Sequence, residues 1–231
     1  VMLRGVDNNK DQTYFLCQLN QNQLNNSLFP IGELTKPEVR QIAEELDLPV
    51  AHKKDSTGIC FIGERDFREF LKNYIPAKSG KMVDIVSKKV IGEHQGIMYY
   101  TIGQRKGLGI GGNGEPWFVV GKDYDKNILY IAQGDSNKWL LSHGALITDV
   151  NWISATKPEG EYDCTAKFRY RQKDNDVSLH FIDETTLYVT FKKPIKAVTP
   201  GQAAVFYDGD VCLGGGTIDK VYKDGKEIDY L

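Results

Sequence analysis

The chain has 231 residues, 41% hydrophobic and 26% charged, with a formal net charge of −2 at pH 7. That length holds one large domain or two modest ones, and the slightly acidic balance excludes nucleic-acid binding through bulk positive charge. No run reaches the roughly 20 apolar residues of a membrane span and the opening V-M-L-R-G-V-D is not a signal peptide, so a cytoplasmic protein with no membrane contact is expected.

Residues 1–3 are apolar and lead directly into a polar turn, G-V-D-N-N-K-D-Q, followed by a strand-like run at 14–19. Such an opening reads as the interior of a domain whose beginning lies elsewhere. T-K-P-E at 35–38 is a helix start, with a Thr cap, Pro in the first turn and Glu three residues after the cap. Val39, Ile42, Ala43 and Leu46 supply that helix with an apolar face. Leu48, Pro49 and Val50 end it and predict a short apolar strand. Next comes D-S-T-G-I-C-F-I-G-E-R-D-F at 55–67. Phe67, Phe70, Leu71 and Tyr74 fall at i, i+3, i+4 and i+7, which predicts a helix from near Gly63 to just before Pro76.

From Lys78 onward the texture changes to short alternating runs, at 82–86, 96–102, 117–121, 128–132 and 145–150. Turn residues at 125–127 and 133–136 separate them. The pattern continues at 162–171, 177–181, 187–191, 203–207, 211–218 and 221–222, with a corner at 194–201. Strands at this spacing without helices read as small barrels or sandwiches. The fold class is therefore α+β: a mixed helix and strand N-terminal portion, then mostly antiparallel β-barrel-like domains. The expected divisions are 1–79, 80–142 and 143–231.

Cysteines stand at positions 17, 60, 164 and 212, too far apart for the close pairs of a zinc site, so no metal is predicted. Cys17 and Cys212 lie in strand-like apolar runs and Cys164 is unremarkable. Cys60 differs, because it precedes the predicted helix start, where unpaired backbone N–H groups and the positive end of the macrodipole favour thiolate. The alternative is a small buried hydrophobe beside Phe61 and Ile62.

An RNA surface needs a local cluster of cations. Candidates are Lys53 with Lys54, Arg105 with Lys106, the Lys167, Arg169 and Arg171 run, and Lys192 with Lys193; each taken singly also fits a solvated surface. G-Q-R-K-G-L-G-I-G-G-N-G at 103–114 holds six glycines in twelve residues. No βαβ unit follows, so it is not a dinucleotide loop. Glycines let backbone approach a ligand closely, and Arg105 and Lys106 suit phosphate; a flexible hairpin would have the same composition. Lys10, Asp11 and Gln12 offer a cation, an acceptor and an amide side by side, in what is otherwise a polar turn.

S-T-G-I-C-F-I-G-E-R at 56–65 resembles the segment of bacterial tRNA-specific 2-thiouridylases that holds the persulfide-bearing cysteine. G-V-D-N-N-K-D-Q-T-Y-F-L (5–16), F-P-I-G-E-L-T-K (29–36), Y-Y-T-I-G-Q-R-K-G-L-G-I (99–110), F-R-Y-R-Q (168–172) and P-G-Q-A-A-V-F-Y (200–207) resemble that family in its order. The resemblance covers essentially the whole chain, but the S-G-G-x-D-S phosphate loop that opens the family's ATP-pyrophosphatase domain has no counterpart here. It implies that residues 1–79 end the catalytic domain and carry Cys60, that 80–142 form a central tRNA-binding domain, and that 143–231 form a C-terminal barrel. It also implies an enzyme that uses ATP to adenylate the C2 oxygen of a tRNA wobble uridine and replaces it with persulfide sulfur. Cys60 would carry that sulfur, received from a cysteine desulfurase or relay protein; a second cysteine assisting its release would lie upstream. Lys10, Asp11, Gln12, Arg105, Lys106, Arg169, Tyr170 and Gln202 would contact tRNA. The 231 residues alone would then lack the nucleotide site and be inactive. Two rivals stand beside this: an RNA-binding barrel module with an inert Cys60, and a cysteine hydrolase using His52, His94, His143 or His180 as base.

Overall fold

In the computed structural model, which describes residues 1–55 and 67–230, the short apolar opening becomes strand β1 (Met2–Leu3). Helices α1 (Thr13–Leu16), α2 (Gln21–Asn25), α3 (Lys36–Glu45) and α4 (Phe67–Lys72) follow. Strands β2 (Gly80–Asp84), β3 (Val90–His94), β4 (Trp117–Asp123) and β5 (Ile128–Gln133) come next, with a 3₁₀ turn at Ile97–Tyr99. A second 3₁₀ turn, Lys138–Leu140, precedes β6 (Leu141–Trp152), β7 (Tyr162–Lys167), β8 (Asn175–Phe181) and β9 (Leu187–Lys196). The chain ends in β10 (Ala203–Asp208), β11 (Val211–Lys223) and β12 (Lys226–Glu227). These elements divide between two units, one built from Val1–Lys54, His143–Ile195 and Thr199–Glu227, the other from Asp55–Ser142, Lys196–Val198 and Ile228–Leu231.

In the first unit the hydrogen-bonded order β11-β10-β7-β8-β9-β6 returns to β11, so six strands close into a barrel. Closure removes the exposed edges that an open sheet would present. Alternate residues fill the interior: Ile147, Val177, Leu179, Val189 and Ile218 are all fully buried, and the rings of Phe168 and Phe191 meet at 4.8 Å. Strand β11 is 13 residues long and its register against β6 shifts twice, between Gly215 and Thr217 and between Ile218 and Lys220. Bulges of this kind bend a strand enough to serve two neighbours. Glycine is required where the bend is tightest. A Cβ on Gly216 would lie 2.5 Å from the Thr148 carbonyl oxygen, and one on Gly215 would lie 2.6 Å from that of Ala204.

β10 lacks the usual alternation: Ala204, Val205, Phe206 and Tyr207 are all buried. Its second face is covered by the N-terminal segment, since Val205 and Tyr207 cluster with Met2, Tyr14, Cys17, Ile153 and Cys212. This corrects one expectation. Residues 14–19 were predicted as a strand, yet Thr13–Leu16 is helical. Tyr14 and Cys17, three residues apart, both face β10, so a helical period buries what a two-residue period would split.

The second unit holds a four-stranded sheet of order β3-β2-β5-β4, with β2 and β5 parallel and the other pairs antiparallel. Met82, Val119, Val120, Leu129 and Ile131 form its core. Residues 96–102, expected as a strand, instead make a 3₁₀ turn that Gly96 starts at φ 147°. Ile97, Tyr99, Tyr100 and Ile102 are buried there by side-chain packing rather than by a strand ladder.

Helix α3 begins as its sequence requires, with Glu38 accepting from the Thr35 N–H at 2.6 Å. Its expected apolar face is not covered within the described residues: Ile42 is 41% and Leu46 65% exposed. The strand expected at 48–50 is a turn, with Leu48 and Val50 also exposed. Helix α4 ends at Lys72, short of the predicted end before Pro76; Leu71 packs against the second unit's core while Tyr74, beyond the helix, is exposed, and the predicted start near Gly63 lies outside the described residues.

The Gly215 contact sets a stability test. Gly215→Ala should destabilise the protein by roughly 1–3 kcal/mol, because the new methyl meets backbone and the Cys17 Sγ at 3.1 Å rather than a flexible side-chain end. In urea the midpoint should fall with the slope unchanged; an unchanged midpoint would show that β10 and β11 can separate freely.

Candidate nucleic-acid interface

The turn before α1 is built by its own polar groups. Lys10 N and Asp11 N both donate to the Asp7 carbonyl, at 2.9 and 2.8 Å. The Asp7 carboxylate accepts from Lys36 N and Asn9 N, both at 2.9 Å, which holds its pKa below the usual carboxylate value. Asp11 sits apart from its neighbours in character. It is only 6% exposed, and its carboxylate accepts from Gly5 N, Thr13 N and Thr13 Oγ1 at 3.1, 3.2 and 2.7 Å. Its side chain is thus occupied inside the turn, where it fixes the positions of Lys10 and Gln12.

Three distant stretches meet at this turn. Gln12 Nε2 donates to the Tyr170 hydroxyl at 3.0 Å, and Arg171 Nε donates to the Asn9 carbonyl at 3.3 Å. Arg169 Nη2 donates to Thr199 Oγ1 at 3.1 Å, and Gln202 N donates to the Thr199 carbonyl at 3.2 Å. Tyr14 Oη closes the set by donating to the Ala203 carbonyl at 2.9 Å. The structure therefore brings Lys10, Gln12, Arg169, Tyr170 and Gln202 onto one region of the barrel unit, with Asp11 beneath them. Burial draws the Arg169 guanidinium below its ordinary pKa, but an arginine there remains charged. Arg171 turns outward because its backbone is left-handed, at φ 63°. Lys167, from the same basic run, is buried and faces Asp174 at 3.8 Å, so it belongs to the interior rather than the surface.

Phe15 and Thr199 carried no expectation from sequence. The strand expected at 14–19 hid Phe15; on the α1 helix it lies outside the buried cluster that holds Tyr14 and Cys17 and is 59% exposed.

Arg105 and Lys106 lie in the second unit, both exposed. The base of their loop is pinned by Gln104, whose side chain accepts from Thr101 N at 3.0 Å and donates to the Lys106 carbonyl at 2.9 Å. Beyond it the chain encloses a cleft of about 460 Å³ lined by Arg105, Gly109, Gly112, Glu115 and Trp117. Gly109 and Gly112 have φ of 68° and 123° with open space where a Cβ would stand. Bare backbone therefore lines the cleft beside the Arg105 cation, a surface that can approach a phosphate closely.

The four histidines have local partners. His94 is fully buried, accepts from Gly96 N at Nδ1 and donates from Nε2 to the Asn127 carbonyl at 3.1 Å. Burial lowers its pKa, so it is a neutral structural group. His52 lies 3.5 Å from Glu44, His143 lies 3.0 Å from Asp224, and His180 contacts Thr190 at 3.0 Å. Cys60 lies outside the described residues.

The other three thiols are pushed up by burial, Cys17 to about 11 and Cys164 and Cys212 to about 12. At pH 7.5 they are protonated and poor nucleophiles. Alkylation of the native protein followed by peptide mapping should therefore find Cys17, Cys164 and Cys212 slow to label until the protein is unfolded; fast labelling of any of the three in the native state would contradict these shifts. The same shifts act on stability. Unfolded thiols lose protons above about pH 8.5, whereas the folded ones hold theirs to pH 11–12. The stabilisation is complete below about pH 8.5 and is lost as pH rises through the folded values, so the urea midpoint should be lower at pH 10 than at pH 8.

Residues 1–64 match the family described as the tRNA methyl transferase HUP domain, 68–133 the tRNA methyl transferase PRC-barrel domain, and 142–218 the aminomethyltransferase beta-barrel domain. The chain is 60% identical over 230 residues to the tRNA-specific 2-thiouridylase MnmA of Bacillus cytotoxicus, a match that covers all of this chain and 62% of the relative. The corresponding proteins of Bacillus cereus and Bacillus thuringiensis match with the same identity and coverage. The chain thus spans a little under two thirds of the length of these relatives. With three successive domain matches and 60% identity along its length, the chain belongs to the tRNA-specific 2-thiouridylase family.

Proposed function

We propose that this chain supplies the RNA-holding surface and the sulfur-carrying cysteine of a tRNA-uridine 2-sulfurtransferase. The observation that carries the proposal is the convergence of Lys10, Gln12, Arg169, Tyr170 and Gln202, drawn from three distant parts of the sequence, onto one region. Cations, an exposed amide and an aromatic ring together match what RNA offers: phosphates, base edges and base faces. Arg105, on a glycine-lined cleft, and the exposed Lys106 beside it in sequence supply further phosphate contacts. Asp11 acts through the turn it holds together.

The chemistry follows from leaving groups. The C2 oxygen of uridine is a poor leaving group; its attack on the α-phosphate of ATP expels pyrophosphate and converts it to a bound AMP ester. The terminal sulfur of a persulfide on Cys60, soft and anionic at neutral pH, then attacks C2 and AMP departs with the oxygen. A second thiol forms a bond to the Cys60 sulfur, the S–S bond to the uridine sulfur breaks, and 2-thiouridine is released. ATP supplies activation only and would be held by the part of the enzyme that the relatives carry beyond this match. The persulfide would come from a cysteine desulfurase or a relay protein, in the cytoplasm; no helix among the described residues is long and apolar enough to cross a membrane. On this proposal residues 1–231 alone bind RNA and accept sulfur but do not complete the reaction.

Two experiments test this. In the complete enzyme, Cys60→Ser should abolish 2-thiouridine formation while pyrophosphate release on tRNA continues; persulfide found by mass spectrometry on Cys17, Cys164 or Cys212 would remove Cys60 from the role. Separately, Arg105→Ala combined with Lys106→Ala should weaken tRNA binding and flatten the dependence of log K on log salt by up to about 1.4–1.8, two contacts at 0.7–0.9 each. An unchanged slope in the folded double variant would return the loop to an ordinary hairpin.

A further inference from the structure

Phe15 is a large apolar side chain left 59% exposed in the middle of a polar, cationic region. Its neighbours are arranged around it. Its ring meets that of Tyr170 at a centroid distance of 4.6 Å and an interplanar angle of 46°, and the edge of Tyr14 at 5.5 Å and 88°. The Tyr170 ring is held from two sides, by Gln12 Nε2 on its hydroxyl at 3.0 Å and by the Arg171 guanidinium 5.1 Å from its centroid. Tyr14 is itself fixed by its bond to the Ala203 carbonyl. The exposed aromatic surface is therefore rigid, so an incoming flat group would lose little side-chain entropy on docking.

We infer that Phe15 and Tyr170 form a stacking platform for one unpaired RNA base. The cations decide the occupant. A purely apolar protein side chain would gain nothing from the Arg171 guanidinium beside the rings, whereas a nucleotide presents a π face and a phosphate together. A base inside a duplex has both faces covered by its neighbours, so the platform selects loops, bulges or extruded nucleotides. This rests on the RNA-binding function proposed above and adds to it the residue Phe15 and the base contact it makes together with Tyr170.

The test uses two RNAs of equal length, a hairpin with 2-aminopurine in an unpaired loop and a fully paired duplex, against the unaltered protein, Phe15→Ala, Phe15→Leu and Phe15→Trp. Phe15→Ala and Phe15→Leu should weaken hairpin binding by about five- to a hundredfold, the range for losing one base–aromatic stack. The salt slope should not change, since no phosphate contact is removed. Phe15→Trp should restore binding, duplex affinity should be indifferent to all three changes, and 2-aminopurine quenching should be lost with alanine. Thermal midpoints should match throughout, because the ring is exposed. Leucine binding as well as phenylalanine, an altered salt slope, or unchanged affinity and quenching with alanine would each overturn the platform. Failure of the unaltered protein to bind either RNA would overturn the RNA-binding function itself.

Discussion

The burial of β10 on both faces is the constraint on which the candidate site depends. A barrel strand ordinarily shows one face to solvent, but Val205 and Tyr207 are fully covered by Met2, Tyr14 and Cys17. That apolar contact clamps the N-terminal segment onto the barrel, and polar bonds stitch its edges: Asn151 Nδ2 donates to the Cys17 and Leu19 carbonyls at 2.9 and 3.0 Å, and Gln18 Nε2 to that of Gly215 at 3.0 Å. Each of these satisfies a backbone carbonyl next to the buried contact, where an orphaned group would cost about 1–3 kcal/mol. Without the clamp, the turn carrying Lys10 and Gln12 would have no fixed relation to Tyr170 and Gln202.

A charged cluster sharpens the register of that clamp. Arg4 Nη1 donates to the Asp174 carboxylate at 3.0 Å and Nη2 lies 2.8 Å from its other oxygen, while the guanidinium lies 3.7 Å from the centroid of the Tyr207 ring. The Tyr207 hydroxyl in turn lies 3.3 Å from Thr13 Oγ1, which donates to Asp11. A half-buried ion pair adds little net stability, because desolvation offsets the Coulombic gain. Its geometry is nevertheless demanding: a guanidinium bonded to a carboxylate and placed over a ring restricts β1 to a narrow range of positions. The apolar contact supplies the adhesion, and the Arg4 cluster selects the alignment.

The amino-acid sequence showed the barrel architecture because alternation and turn residues are local properties. The helix start at Thr35 was legible for the same reason, and Lys10, Arg169 and Gln202 stood out by resemblance to a family. What could not be read was any feature set by a second layer. Residues 14–19 look like a strand because Tyr, Phe, Leu and Cys favour strands; only the surface of β10 makes a helical period the better one. Phe15 was invisible for that reason, since its meaning comes from Tyr170, 155 positions away in the numbering. Likewise Asp11 and Lys167 looked like surface charges and are interior ones, Asp11 bonded to Gly5 and Thr13 and Lys167 beside Asp174. Burial by the layers packed above them, rather than composition, separates a structural charge from one left for a ligand.

That separation also bears on how a chain of net charge −2 would hold a polyanion on the proposed function. The carboxylates nearest the candidate interface are already engaged: Asp11 by two backbone N–H groups and a hydroxyl, Asp7 by the amides of Asn9 and Lys36, and Asp174 by Arg4. Backbone amides and a paired guanidinium offset part of the field these groups would otherwise project toward Lys10, Arg169 and Arg171. Such a field is short in range, because the Debye length is about 8 Å at physiological ionic strength. It would give little long-distance steering and would act only on an RNA already docked. On the proposed function, recognition then comes from fit, in which a few phosphates and one base face meet groups that the β10 clamp has already fixed.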